Sequence, residues 1–240
     1  MQIIVCEDYE QMSFHGAEIV KGILRENPAA VLGLATGSTP IGMYALLAKA
    51  CAAGEVSFEK VRTVNLDEYV GLGERDEQSY VHFMRENLFD KVNIDLKNTH
   101  LPNGKATDFA AECARYSALL ATMPQDIQVL GLGSNGHIGF NEPGTPFNGK
   151  TYVVDLTEST IRDNARLFAK EEDVPKKAIT MGISEIMRAK RILLMASGKN
   201  KAKAVFGMVK GEVTESCPAS ILQRHGNVTL VLDKDAASLL

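Results

Sequence analysis

The feature that most constrains this chain is a regular alternation of short runs, rich in apolar and β-branched residues, with longer amphipathic stretches. Short β-branched runs bounded by turn residues predict strands, whereas apolar residues spaced at helical intervals predict amphipathic helices. Strands that are apolar on both faces and separated by helices are typical of a mainly parallel central sheet covered by helices on both faces, an α/β fold. We predict strands over residues 2–6, 30–35, 61–65, 127–132, 191–196 and 228–232.

The helices predicted between these strands cover residues 11–24, 41–53, 79–89, 108–121 and 201–209. No internal repeat or low-complexity linker interrupts the alternation, so we expect a single domain over residues 1–240. The polar, charge-rich stretch at residues 157–177 is interpreted as a lid over the site. In an open α/β sheet, ligands bind at the carboxyl ends of the strands.

The overall charge and the cysteines exclude several classes of protein. A net charge of -4 argues against binding to nucleic acid, which needs a basic excess. No apolar stretch reaches the ~18 residues of a membrane span, and residues 1–10 lack the order of a signal peptide. The cysteines are too scattered for a disulfide framework, so we expect reduced thiols and a cytoplasmic protein. They are Cys6, Cys51, Cys113 and Cys217.

The segment GLATGSTP at residues 33–40 is a candidate phosphate site. Small residues between a strand and a helix let backbone N–H groups approach an anion, and the helix start adds partial positive charge. The spacing fits neither a Walker P-loop nor a dinucleotide fingerprint. An ordinary Ser/Thr helix cap explains the same residues equally well. The candidate ligands are Thr36, Gly37, Ser38 and Thr39, with Arg166 and Lys201 as candidate cations unless these are solvated surface residues.

Two further polar groups follow predicted strands. The adjacent carboxylates Asp67 and Glu68 come after residues 61–65, and one of them could act as a carbon base if burial moves its pKa toward neutrality. A helix cap or a surface acid pair is the alternative. The glycine-rich loop GSNGHIGFNEP follows residues 127–132 and presents His137, whose ring Asn135 or Glu142 could orient for proton transfer. A structural histidine in a tight turn is the alternative there, and no standard zinc spacing is present.

Three blocks in this order, GLATGSTP, NLDEYVGL and GLGSNGHIGFNEPG, resemble the glucosamine-6-phosphate deaminase family. The resemblance extends to STIRDNARLF, ASGKNKA and PASILQRH and so spans nearly the whole chain. It implies conversion of glucosamine 6-phosphate and water to fructose 6-phosphate and ammonia, without a metal or an organic cofactor. It also implies a modified Rossmann-type fold, as in ribose-5-phosphate isomerase and 6-phosphogluconolactonase.

The resemblance assigns roles to the candidate residues. Asp67 would be the base that moves the C2 proton, His137 the group that opens the sugar ring, and Glu142 its partner. The phosphate site would comprise Thr36, Gly37, Ser38, Thr39, Arg166 and Lys201.

Two features depart from many members of that family. Asn135 stands where many members have aspartate, so His137 should be protonated less easily than in an Asp–His pair, although we expect activity to be retained. The chain is short and residues 151–154 carry no positive charge, which indicates the monomeric branch without allosteric activation by N-acetylglucosamine 6-phosphate.

Two rival functions stay open. The first is a 6-phosphogluconolactonase or another sugar-phosphate isomerase on the same fold, against which the NLDEYVGL and NEP blocks argue. The second is a sugar-phosphate sensor of the kind found in transcriptional regulators. The first predicted strand begins at residue 2, which leaves no room for a DNA-binding segment before it, and both Asp67 and His137 are present.

Overall fold

The computed structural model describes residues 1–158, 160–161, 168, 170 and 173–240. Its central sheet has seven parallel strands in the order β1-β10-β9-β6-β2-β3-β5. The mainly parallel sheet predicted from the sequence is therefore confirmed. The strands of this sheet are β1 (Gln2–Cys6), β2 (Val31–Leu34), β3 (Arg62–Asn65), β5 (Thr99–His100), β6 (Ile127–Leu130), β9 (Ile192–Ala196) and β10 (Val228–Asp233).

Helices surround this sheet, and the amphipathic stretches supply them as predicted. Helix α1 buries Met12, Val20 and Leu24 on one face and packs against α2 and β10. All residues of β2, β6 and β9 are buried, which explains why these strands show no alternation of apolar and polar residues and are apolar apart from Gln128. The helices that lie wholly within the described residues are α1 (Tyr9–Glu26), α2 (Ile41–Ala52), α3 (Tyr80–Asn87), α4 (Phe109–Thr122), α5 (Ile183–Ile186) and α6 (Ala202–Lys210).

A second, antiparallel sheet was not predicted from the sequence. It pairs β4 (Asp67–Tyr69) with β8 (Lys177–Thr180) and β8 with β7 (Tyr152–Asp155). These strands have three or four residues each and include charged side chains, so their sequences resemble loops. Only Leu66 separates β3 from β4, and the chain therefore leaves the parallel sheet directly before Asp67.

The parallel arrangement brings the carboxyl ends of β2, β3 and β6 to one edge of the sheet. The segments singled out in the sequence follow these three strands, and so they meet at this edge. In the described part of the chain, no helix is both long enough and apolar enough to cross a bilayer. All four cysteines are unpaired, as expected from their spacing.

Candidate active site

A cavity of about 620 Å³ opens at this edge of the sheet. Its wall includes the turn after β2, the start of β4, one face of α3 with the residues just before it, and the loop after β6. All three polar segments singled out in the sequence contribute to it. The predicted site residues on its wall are Thr36, Gly37, Ser38, Thr39, Asp67, His137 and Lys201.

The turn after β2 has the open backbone geometry expected of an anion site. Gly37 has a φ of +91°, a conformation that glycine adopts without strain. The Tyr9 hydroxyl donates to Ser38 O over 3.0 Å and accepts the N–H of Gly42 over 2.9 Å, so it fastens the turn to the start of α2. No local sequence pattern indicates this role for Tyr9, since it lies 29 residues before Ser38.

Positive charge reaches the cavity through Lys201. This residue ends a 3₁₀ turn, Lys199–Lys201, directly before α6 and lines the same cavity as the turn after β2. A lysine beside a helix start and small-residue N–H groups suits a phosphate group. Arg166, the other cation predicted for this site, lies outside the described residues.

Asp67 is the buried carboxylate of the cavity. It starts β4, where it pairs with Thr180 of β8, and is 6% exposed. No hydrogen-bond donor to its carboxylate is found among the described residues. Burial, and secondarily the charge of Glu68, raises the pKa of Asp67 to about 8. A carboxylate in this environment is suited to removing a proton from carbon near neutral pH.

The neighbouring carboxylate, Glu68, serves a different purpose. It points away from the cavity and accepts the backbone N–H groups of Tyr69, Tyr80 and Val81 over 2.8, 2.9 and 3.0 Å. Burial raises the pKa of Glu68 to about 7, while these three hydrogen bonds oppose the rise. Of the two adjacent acids, Asp67 therefore faces the site, and Glu68 ties β4 to the start of α3.

Glycines shape the loop that carries His137. A Cβ on Gly133 would lie 2.3 Å from the His137 ring, so only glycine allows the ring to rest on the backbone there. A Cβ on Gly139 would lie 3.5 Å from Asp67 Oδ2, which places the backbone of this loop against the Asp67 carboxylate. The loop thus brings the histidine and the buried acid together, as the sequence predicted.

A hydrogen-bonded relay fixes the His137 ring. Asn135 Nδ2 donates to Glu142 Oε2 over 2.7 Å, and the backbone N–H of His137 donates to Asn135 Oδ1 over 3.2 Å. Both contacts turn the amide oxygen toward His137, where it lies 2.8 Å from Nδ1. An amide oxygen can only accept, so Nδ1 carries the proton and neutral His137 has Nε2 available as a base.

Glu142 supplies the charge that Asn135 lacks. Its Oε2 lies 3.5 Å from His137 Nδ1, and its Oε1 accepts a hydrogen bond from the Thr160 hydroxyl. Burial alone would raise the pKa of Glu142, but interactions with His137, Thr160 and Asn135 outweigh burial and lower it to about 2. The carboxylate is therefore ionised at neutral pH and stabilises positive charge on the imidazole.

Several cavity residues were missed at the sequence level. Tyr80 stacks on Phe140 with the ring planes 11° apart, and both rings line the cavity beside Asp67. His82 and Glu86 also line it, and they stand four residues apart on α3, the spacing that puts two side chains on one helical face. This four-residue spacing is the one sequence feature that could have pointed to His82 and Glu86. Side chains on any solvent-exposed face of a helix have the same spacing, so it did not identify them as cavity residues.

The described residues contain no group of three or more His, Cys, Asp or Glu side chains arranged to hold a metal ion. The cavity instead combines one buried carboxylate, one oriented imidazole and one lysine. These groups can transfer protons and bind an anion.

Residues 9–231 match the profile of a family described as glucosamine-6-phosphate isomerases/6-phosphogluconolactonase. The chain belongs to this family. It is 51% identical to a glucosamine-6-phosphate deaminase of Clostridium novyi (strain NT), with all of both chains covered. It is 50% identical to the deaminase of Bacillus cytotoxicus, with all of this chain and 89% of that one covered.

Solved structures of the family share the fold. One described as a monomeric glucosamine-6-phosphate deaminase superposes with a TM-score of 0.98 at 47% identity, covering 100% of both chains. The 6-phosphogluconolactonase of Trypanosoma brucei superposes with a TM-score of 0.80 at 21% identity, covering 100% of this chain and 98% of that one. The second likeness concerns the fold alone. The α/β fold and the family predicted from the sequence are both confirmed.

Proposed function

We propose that this protein is a glucosamine-6-phosphate deaminase, which converts glucosamine 6-phosphate and water to fructose 6-phosphate and ammonia. The observation that carries the proposal is the meeting of Asp67 and the His137 loop in one cavity, with Gly139 of that loop against the Asp67 carboxylate. Relatives that bear this name are 50–51% identical over the whole chain.

The phosphate of the substrate would bind at the turn formed by Thr36, Gly37, Ser38 and Thr39, opposite the charge of Lys201. We include Arg166 in the phosphate site on the strength of the sequence resemblance. Binding energy from this remote group would orient the sugar so that its reacting carbons lie between the acid and the imidazole.

His137 would open the sugar ring. Its Nε2 takes the proton of the anomeric hydroxyl and returns it to the ring oxygen, which yields the open-chain aldehyde. The imidazole is positively charged only between these two transfers, when the ionised Glu142 stabilises it at 3.5 Å from Nδ1. Asn135 would hold the ring so that Nε2 keeps facing the sugar.

Asp67 would then move the carbon-bound proton. Its carboxylate takes the proton from C2 to give an enol-type intermediate, and proton return to C1 leaves an imine at C2. Water adds to this carbon, and the resulting carbinolamine releases ammonia and forms the ketone. General bases of this kind contribute roughly 10²–10⁴-fold to the rate.

Further parts of the proposal rest on the same site and on the sequence. We propose that residues 1–240 form a single domain. We also propose that residues 157–177 form its lid, because the hydroxyls of Thr157 and Thr160 at the start of that stretch contact Glu142. We also propose a cytoplasmic monomer that needs no metal or organic cofactor and acts in N-acetylglucosamine degradation. No nucleic-acid or membrane partner is proposed, given the net charge of -4 and the absence of an apolar span in the sequence.

The test is an ammonia assay with glucosamine 6-phosphate and a chelator present. We expect ammonia and fructose 6-phosphate in equal amounts. Hydrolysis of 6-phosphogluconolactone without release of ammonia would support the lactonase rival instead. Tight binding of the sugar phosphate without turnover would support the sensor.

A further inference from the structure

The two carboxylate oxygens of Glu142 are held by different parts of the chain. Oε2 accepts the amide N–H of Asn135 in the histidine loop, and Oε1 accepts the hydroxyl of Thr160, which lies beyond β7. Thr160 is 4% exposed and Glu142 7% exposed. A hydrogen bond to a carboxylate is stronger than one between neutral groups, and exclusion of water strengthens it further. Thr160 therefore restrains the rotation of the Glu142 carboxylate.

The Thr160 hydroxyl is itself held in place by its neighbours. The N–H of Thr160 donates to Thr157 Oγ1 over 3.3 Å, and the N–H of Ile161 donates to Thr157 O over 2.9 Å. The Thr157 hydroxyl lies 3.1 Å from the Thr160 hydroxyl and 3.3 Å from Glu142 Oε1, and the shorter contact lets it donate its one proton to Thr160. A hydroxyl has one proton to give, and this arrangement directs the Thr160 proton toward Glu142.

We propose that Thr160 is a positioning residue that sets the tautomer of His137 through Glu142 and Asn135. The proposal rests on the proposed function, in which neutral His137 must offer Nε2 as a base. With Oε1 held by Thr160, Oε2 faces the Asn135 amide nitrogen, and the amide oxygen then faces His137 Nδ1.

Loss of the Thr160 hydroxyl has a defined chemical consequence. Glu142 Oε1 loses its short hydrogen bond and keeps only the contact with Thr157 Oγ1 over 3.3 Å, so the carboxylate is held less firmly. The Asn135 amide then has a less firmly fixed acceptor, and the backbone N–H of His137 over 3.2 Å is the main contact that still orients it. A flipped amide presents its N–H group to His137 Nδ1, which must then accept. The ring proton moves to Nε2, and the nitrogen facing the sugar changes from acceptor to donor.

The kinetic test compares three variants of the full chain. Thr160→Val keeps the shape but removes the hydroxyl, and Thr160→Ser restores it. Thr122→Val makes the same change at an exposed site at the end of α4. We expect Thr160→Val to lower kcat roughly 10- to 100-fold with KM changed about twofold or less. The kcat of Thr160→Ser should stay within about threefold of the wild-type value, and Thr122→Val should have the kcat of the wild type.

The second readout is the ¹⁵N chemical shifts of the His137 ring, which report which nitrogen carries the proton. Neutral His137 should be protonated at Nδ1 in the wild type and in Thr160→Ser, and a substantial Nε2–H population should appear in Thr160→Val. An unchanged tautomer in Thr160→Val would overturn the proposal, as would serine being as impaired as valine. This measurement needs no turnover, so it decides the role of Thr160 even if the wild type releases no ammonia.

Discussion

Asn135 Nδ2 lies 2.7 Å from Glu142 Oε2, and Asn135 Oδ1 lies 2.8 Å from His137 Nδ1. The Asn135 amide therefore links the imidazole to the carboxylate. An aspartate at this position would oppose one carboxylate to another at hydrogen-bonding distance. Two carboxylates that share a site cannot both ionise freely, and one of them takes up a proton near neutral pH. The Asn135 amide carries no charge, and Glu142 places a carboxylate oxygen 3.5 Å from His137 Nδ1.

We therefore predict that Asn135→Asp lowers turnover at neutral pH, by less than about 100-fold, and adds an ionisation to the pH profile of kcat. The control is Asn227→Asp, which makes the same change at an exposed position before β10. Steady-state kinetics between pH 6 and pH 9 would measure both. A rise in turnover of about 100-fold or more in Asn135→Asp would show that asparagine is a poor partner for His137.

The phosphate role of Lys201 predicts an effect on binding. Lys201→Ala removes a charge from the cavity wall, so KM for glucosamine 6-phosphate should rise about 10-fold or more while kcat changes much less. Lys203→Ala, two residues further on and exposed, is the matched control and should leave both constants unchanged. Equal KM values in the two variants would place the phosphate elsewhere.

The buried acids make folding stability depend on pH. The folded-state pKa values of Asp67 and Glu68 are raised to about 8 and about 7. The contribution of these two acids to the free energy of unfolding is fully present below their pKa values in the unfolded chain, near 4. It is lost as the pH rises through their folded-state pKa values. The pKa of Glu142 is lowered, so its contribution to the free energy of unfolding is lost as the pH falls, and only below about pH 4.5.

We thus predict that the free energy of unfolding in urea falls between pH 5 and pH 9. Each pKa unit corresponds to about 1.4 kcal/mol, so the fall should exceed about 2 kcal/mol. Asp67→Asn should remove much of this dependence, and Asp235→Asn, at an exposed site, should not. A wild-type protein equally stable at both ends of the range would show that these acids are not perturbed by burial.

The parallel sheet and its edge could be predicted because short runs rich in apolar and β-branched residues have a strong local signal. The segments carrying Asp67 and His137 follow such strands, so their convergence followed from topology. The antiparallel sheet could not be predicted in this way. Its strands β4, β7 and β8 owe their existence to pairing with one another, and a run such as DEY has no strand signal of its own.

The fine structure of the site depends on contacts that no local pattern encodes. Tyr9 reaches the turn at Ser38 from another helix, and Thr160 reaches Glu142 across 18 residues. The division of labour between Asp67 and Glu68 likewise depends on the position of α3, whose first N–H groups bind Glu68. The sequence singled out the pair of acids, and the fold decides between them.

The removal of the C2 hydrogen by Asp67 is tested most directly with glucosamine 6-phosphate deuterated at C2. Loss of deuterium from this carbon, followed by NMR, should be rapid with the wild type and with Asp235→Asn. Asp67→Asn should slow it roughly 10²–10⁴-fold, while the substrate still binds. If Asp67→Asn releases the C2 deuterium at the wild-type rate, another group is the base and the assignment of Asp67 is wrong.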